Sequence, residues 1–160
     1  MFARPGPPAG RGKGGRMNAK VLRTEPGGRT FALIFEPGDE PLSGLEGFAS
    51  DAGLEAAHFT AIGAFRSATL GFFDRDRKNY LRIEVGEQTE VLSLTGNVAL
   101  HEGRPKVHAH VVLGKRDGTA HGGHLLTAEV WPTLEAIVTE APTHLRRRHD
   151  PGTGLPLIRV

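Results

Sequence analysis

The sequence predicts an α+β domain in which one helix packs on a mostly antiparallel sheet. Strand-like segments follow one another through most of the chain, and only one segment, near residues 40–53, has apolar side chains at helical spacing. Gly and Pro make up about a fifth of the 160 residues, which is typical of a chain with many turns. The length suits one domain with a substantial core.

The first 16 residues, MFARPGPPAGRGKGGR, differ in composition from the rest of the chain. They are rich in Gly and Pro and almost free of apolar side chains, so we expect a disordered tail at 1–16 and a single domain at 17–160. A basic arm for nucleic acid is one interpretation of this tail. A solvated tail, or an extension upstream of a start at Met17, is the other. Its basic side chains are Arg4, Arg11, Lys13 and Arg16, and it has no acidic ones.

The remaining chain has no positive surplus, because 16 Lys and Arg side chains stand against 18 Asp and Glu. Phosphate-driven binding of nucleic acid is therefore disfavoured, although the run 146–148 is locally basic. Cysteine is absent, which excludes disulfides and thiolate metal sites. No apolar run approaches the roughly 20 residues of a membrane span and no secretory signal is recognisable, so we expect a cytoplasmic protein without membrane contact.

The first elements are two strands and the helix. The stretch NAKVLRTEPGGRTFALIFEPG predicts a strand, a turn at Pro26–Gly28 and a second strand, whose apolar run FALIF favours a central position. The helix follows, with Asp39 or Glu40 as its cap and Pro41 in its first position. Gly53 can close it in a left-handed conformation.

The rest of the chain is predicted to form strands. AAHFTAIGAF and SATLGFFDR are separated by little more than Arg66, and NYLRIEV, TEVLSLTGNVALH and KVHAHVVLGKR follow. A turn at Asp117–Gly118 leads to TAHGGHLLTAEVW, which we expect to break at Pro132. LEAIVTEA suits a strand or a helix by pattern, and Ile137 and Val138 favour the strand. A short last strand follows the turn DPGTG.

Two histidines, His108 and His110, lie one residue apart in the predicted strand KVHAHVVLG. Because side chains alternate between the two faces of a strand, these histidines share a face, while Val107 and Ala109 share the opposite, core-facing one. Same-face neighbours are about 6.5–7 Å apart along a strand. Both imidazoles can therefore lean towards one ion at about 2.0–2.1 Å.

A third metal ligand has to come from another segment. His124 is the natural candidate, because the turn after the first strand folds HGGHLL back beside it. Gly122 and Gly123 remove side-chain bulk next to it, so that a ligand or a backbone can approach. His101 and His121 are weaker candidates. The alternative is a polar strand face that bears ordinary histidines, and no catalytic residue or cofactor-binding motif can be assigned.

The segment LSLTGNVAL…GRPKVHAHVVLGKRDGTAHGGHLL resembles the PPC (plants and prokaryotes conserved) domain family, stand-alone prokaryotic type. The matching pattern is L-S-L-x-G-N, then H-x-H-V-x-L, then a turn and G-G-H-L. FTAIGAFRSATLGFFD, the early helix and RRHDPGTGLPLI fit as well, so the resemblance covers roughly residues 28–160. It implies an α+β fold with a large antiparallel sheet that assembles as a homotrimer. It also implies a metal, foremost zinc, on three histidines, here His108, His110 and His124.

In plants, the family's domain stands beside an AT-hook that binds DNA. RGKGGR departs from the R-G-R-P centre of that motif, so the resemblance leaves DNA binding doubtful for this chain. We expect a small trimeric module with a three-histidine site for zinc or another divalent metal and a ligand-binding or regulatory role. The alternatives are a DNA-binding protein and a zinc-dependent enzyme acting on a small molecule, with Glu102 as a possible base.

Overall fold

The computed structural model of the protein describes residues 17–141 and 143–160, and the predicted tail at 1–16 lies outside them. Within these ranges, nine strands form a single sheet and one helix packs against it, which confirms the predicted α+β class. The elements, in chain order, are β1 Asn18–Glu25, β2 Gly28–Phe35, α1 Pro41–Ala52, β3 Ala56–Asp74, β4 Asn79–Val85, β5 Thr89–His101, β6 Arg104–Gly114, β7 Ala120–Glu140, β8 Arg146–His149 and β9 Pro156–Arg159.

The sheet is antiparallel except where β8 lies parallel to β5, with Leu100 opposite Arg146. Its main path runs β1-β2-β7-β3-β5-β8-β9, while β4 pairs with β3, and β6 pairs with both β5 and β7. Strands β3, β5, β6 and β7 therefore pair in a closed circuit. This circuit is possible because β3 and β7 are 19 and 21 residues long and pair with different strands along their length.

Helix α1 begins and ends as the sequence predicts. Glu40 is its N-cap, and the Glu40 side chain accepts a hydrogen bond of 2.7 Å from the backbone N–H of Ser43. Gly53 follows the last turn with φ 66°, in the left-handed conformation that glycine adopts without strain. Leu45 and Ala49 lie on the buried face and pack into the core of the sheet.

Two predicted strand ends are wrong. Arg66 does not separate two strands, because β3 continues through it with irregular register against β7 on either side of Phe65. Pro132 does not break β7 either, since β3 pairs with Val130 and then with Leu134 and skips the residues between them. Proline lacks an N–H group, and at this bulge no sheet hydrogen bond requires one. The strand assignment of LEAIVTEA is confirmed.

The core lies on the inward face of the closed circuit. Phe35, Phe59 and Phe65 are among its largest fully buried side chains. The predicted inward face of β6 is confirmed, because Val107, Ala109, Val111 and Leu113 are all buried. In the part of the chain that the structure describes, no helix is long and apolar enough to cross a membrane.

Candidate metal centre

The outward face of β6 holds the first two histidines. His108 is half-buried and His110 is exposed, while their neighbour Ala109 points into the core. Their Nε2 atoms are 3.2 Å apart. Three ligand atoms placed tetrahedrally at 2.0–2.1 Å from zinc are about 3.3 Å from one another, so this separation suits two ligands of one ion. It also suits a hydrogen bond between the rings when one Nε2 carries the hydrogen.

Strand β7 brings His124 to the same place. It pairs with β6 after the turn, and His124 lies directly opposite His110 in the register. The His124 ring centroid is 5.1 Å from that of His108 and 5.4 Å from that of His110. One ring nitrogen from each histidine lies within 4.8 Å of the others, and no carboxylate belongs to this histidine group. The structure therefore brings together the three residues that the sequence singles out.

The surroundings of the group disfavour protonated imidazoles. Burial, followed by the charges of His108, His110 and Lys106, lowers the pKa of His124 to about 4. Burial, with Arg147 and then His110, lowers the pKa of His108. Both rings are thus neutral at pH 7, and neutral imidazole is the form that binds a metal.

Tyr80 of β4 covers one side of His124. The two rings stack with centroids 4.6 Å apart and an interplanar angle of 23°. The Tyr80 ring fits there because Gly71 has no side chain, and a Cβ atom at Gly71 would lie 2.7 Å from Tyr80 Cδ1. Nδ1 of His124 is buried and has no hydrogen-bond partner among the described residues. A buried ring nitrogen without a partner is costly unless an ion or solvent meets it.

The glycines before His124 allow close strand pairing rather than open space. A Cβ atom at Gly123 would lie 3.0 Å from the carbonyl oxygen of Gly71, and one at Gly122 would lie 3.2 Å from that of Val111. The sequence predicts that these glycines let a ligand or a backbone approach, and the structure confirms only the approach of a backbone. Backbone atoms of the neighbouring strands occupy that room, which holds His124 in register with His110.

The weaker candidates do not join the group. His101 lies at the end of β5, where it pairs with Arg104 beside the turn. His121 is exposed and lies opposite Leu113. Glu102, the candidate base of an enzyme, lies in the turn beyond His101, and His101 is already about 13 Å along the strand from the level of His108. Among the described residues, His108, His110 and His124 form the one group with the size of a metal site.

Two polar residues beside the group were not predicted. Asn97 of β5 lies opposite His108 in the register, and its Oδ1 accepts a hydrogen bond from Nη2 of Arg147. Arg147 belongs to the basic run 146–148, which the sequence presents as a surface patch, yet only 8% of its surface is exposed. Because side chains alternate along a strand, Arg147 points to the opposite face of β8 from its two neighbours. Only the docking of β8 on β5 shows which of the two faces is buried.

Comparisons with known proteins identify the family and support the fold. The family model of the Plants and Prokaryotes Conserved (PCC) domain, abbreviated PPC above, matches residues 22–142. The chain belongs to this family. The predicted resemblance is thereby confirmed, and the PPC domain spans most of the described strands. A comparison with curated protein sequences found no match.

Several solved structures are similar to this PPC chain. A metal-containing protein from Archaeoglobus fulgidus is 40% identical, with coverage of 88% of this chain and 99% of that one and a TM-score of 0.78. A PPC protein from Pyrococcus horikoshii is 31% identical, with coverage of 89% and 94% and a TM-score of 0.78. A protein from Ralstonia eutropha, described as a candidate DNA-binding protein, is 32% identical, with coverage of 88% and 96% and a TM-score of 0.78.

Proposed function

We propose that this PPC protein binds one divalent metal ion, foremost zinc, through His108, His110 and His124, and that it works as a ligand-binding or regulatory module. The observation that carries the proposal is the convergence of three ring nitrogens, from two strands, within 4.8 Å of one another. Three imidazoles suit zinc, nickel, copper or iron better than magnesium or calcium, which prefer oxygen ligands.

The donor set fits a metal with an open position. Three protein ligands leave a fourth place on tetrahedral zinc for water or for a ligand, and a metal bound there would supply a Lewis acid. The similar protein from Archaeoglobus fulgidus is described as metal-containing, which supports metal binding by this chain. Neutral His108 and His124 give it lone pairs at pH 7.

A binding module is favoured over a zinc-dependent enzyme. Hydrolytic zinc sites commonly use a base near the metal-bound water, and the sequence offers Glu102 as the candidate. Glu102 is too far along the strand to serve as that base. The proposed module is a homotrimer, as the family resemblance implies, and its cytoplasmic location stays a prediction.

Metal content tests the site directly. After removal of any affinity tag, wild-type protein incubated with zinc at pH 7.5 and desalted should hold about one ion per chain by elemental analysis. His108→Ala and His124→Ala should hold less than about a tenth of that amount, because two remaining imidazoles bind zinc weakly. His121→Ala is the matched control, since His121 lies on the same strand as His124 but outside the group. Equal zinc content in wild type and His108→Ala would show that these are ordinary surface histidines.

A further inference from the structure

Arg147 is a buried cation without a counter-ion among the described residues. Its Nη2 donates to Asn97 Oδ1 and its Nη1 donates to the carbonyl oxygen of Pro156 at 3.3 Å, so both of its partners are neutral. Its Nε is buried and meets no hydrogen-bond partner in the part of the chain that the structure describes. In residues 17–141 and 143–160, no carboxylate forms an ion pair with it.

Arg29 shows how this fold treats a partly buried arginine elsewhere. Its Nε and Nη2 donate to the two carboxylate oxygens of Glu140 at 2.7 and 2.8 Å, and Nη2 also donates to the carbonyl oxygen of Ala52. That guanidinium is neutralised within the chain, whereas Arg147 is more deeply buried and is not. A guanidinium stays charged in proteins, and burying it unpaired is costly. Such a residue is retained most readily where something outside the chain completes it.

The free charge lies beside the histidine group. Asn97, which holds the guanidinium, is the residue opposite His108 in the β5–β6 pairing. Arg147 is also close enough to act electrostatically on the His108 ring. The other cation that acts on the group, Lys106, is already paired with Glu46 at 3.0 Å. Of the two described cations that act on the histidine group, Arg147 is therefore the unpaired one.

We propose that Arg147 and the open position of the metal together bind a small oxyanion, a carboxylate or phosphate group, and that this anion belongs to the protein's ligand. The inference rests on the proposed metal site. A metal on three neutral imidazoles keeps its full double charge, and Arg147 adds one more, so the site favours an anion. The guanidinium has five N–H donors, of which the two neutral partners use two, and its fork matches carboxylate and phosphate oxygens. Asn97 is a positioning residue that aims it.

Calorimetric titration of zinc-loaded protein tests the inference, with the zinc content of every sample measured first. The probes are glycolate for a carboxylate, methyl phosphate for a phosphate, and glycolamide as the neutral analogue of glycolate. We expect at least one of the two anions to bind wild type, and glycolamide to bind at least about 10-fold more weakly than glycolate if glycolate is the anion that binds. Arg147→Gln should weaken anion binding by about 10- to 100-fold, the range for loss of a charge-assisted pair, and leave zinc content unchanged.

Two further variants guard against a merely structural effect. Arg148→Gln removes the same charge from the next, exposed position of β8 and should bind the anion as wild type does. Asn97→Asp places a carboxylate against Arg147 without removing it, and this internal anion should also weaken the binding of added anions by about 10-fold or more. Zinc-loaded Arg147→Gln that binds as tightly as wild type overturns the inference, as does zinc-loaded wild type that binds neither anion. If the wild-type protein instead holds no zinc, the proposed metal site itself is overturned, and this inference with it.

Discussion

The guanidinium groups of Arg29 and Arg147 are both at least partly buried. They differ in their partners, and this difference decides the role of each residue. Arg29 links three elements, because it donates to Glu140 of β7 and to the last residue of α1 from its own place in β2. The side chains of Arg29 and Glu140 are only 25% and 18% exposed. This shielding makes their ion pair stronger than one on the open surface. Arg147 has no such partner among the described residues, and its proposed role is to bind a ligand.

The Arg29–Glu140 pair makes the protein sensitive to acid. Hydrogen bonds from the Arg29 side chain, ahead of its direct charge, hold the pKa of Glu140 below its ordinary value. A carboxyl group whose pKa is lower in the folded state takes up its proton more readily when unfolded. Its contribution is therefore complete above the unfolded pKa of about 4.3 and is lost as the pH falls through the lower folded value.

Glu140→Gln should lower the free energy of unfolding at pH 7 by about 1–3 kcal/mol, because it leaves Arg29 partly buried without its counter-charge. Between pH 7 and pH 3, the variant should lose less stability than wild type, since it has no proton to gain at this position. Urea unfolding at both pH values measures the two effects. Glu25→Gln is the control, because Glu25 pairs with Arg23 on an exposed strand and should change stability by less than about 0.5 kcal/mol. Identical acid sensitivity in wild type and Glu140→Gln would show that the Arg29–Glu140 pair does not make the protein sensitive to acid.

At the scale of strands and helices, local rules predict much of what the structure shows. The alternation of β6 and the caps of α1 depend on neighbours within a few residues, and both predictions are confirmed. The continuity of β3 and β7 depends on bulges in their mutual pairing, which no local pattern reveals. No local pattern reveals the burial of Arg147 either, because that burial results from β8 docking on a strand more than 40 residues earlier in the chain. The histidine group was predictable because one short turn joins its two strands.

The strand pairing under the histidine group depends on Gly96 of β5. A Cβ atom there would lie 2.4 Å from the carbonyl oxygen of His108 and 2.5 Å from Phe59 Cζ in the core. Gly96→Ala should therefore lower the free energy of unfolding by ~2–3 kcal/mol, the scale of overpacking in a tight interior. Gly47→Ala is the matched control, because Gly47 is exposed on α1 and a Cβ atom there meets nothing within 4 Å. It should raise stability by roughly 0.5–1 kcal/mol through its helix propensity. Urea unfolding of both variants checks the pair, and a harmless Gly96→Ala would show that these strands can separate there.

At the scale of the whole molecule, the charge distribution predicts how the protein binds DNA. Four of the 20 basic side chains lie in residues 1–16, and the rest of the chain has more acidic than basic groups. Binding of duplex DNA by the full chain should therefore be weak, salt-sensitive and dependent on Arg4, Arg11, Lys13 and Arg16. Titration of labelled duplex with the full chain and with a chain beginning at Met17 measures this dependence. Tight, sequence-dependent binding by both chains would show instead that the PPC domain itself reads DNA, the role suggested for the similar Ralstonia eutropha protein.

The outward face of the sheet carries large apolar side chains that are exposed in the single chain. Ile62 and Leu92 are 62% and 55% exposed, and both lie in the irregular stretch where β3 pairs with β5. Exposed apolar side chains that lie together usually mark an interface, and the family resemblance implies a cyclic trimer. Light scattering should therefore give about three times the mass of one chain.

Ile62→Glu combined with Leu92→Glu should shift the protein towards single chains, because burying two carboxylates in an interface costs several kcal/mol. Ser50→Glu adds a charge to the exposed side of α1 and should leave the mass unchanged. A wild-type protein that is a single chain at micromolar concentration contradicts the trimer, and a trimer unaffected by the double variant places its interface on another face.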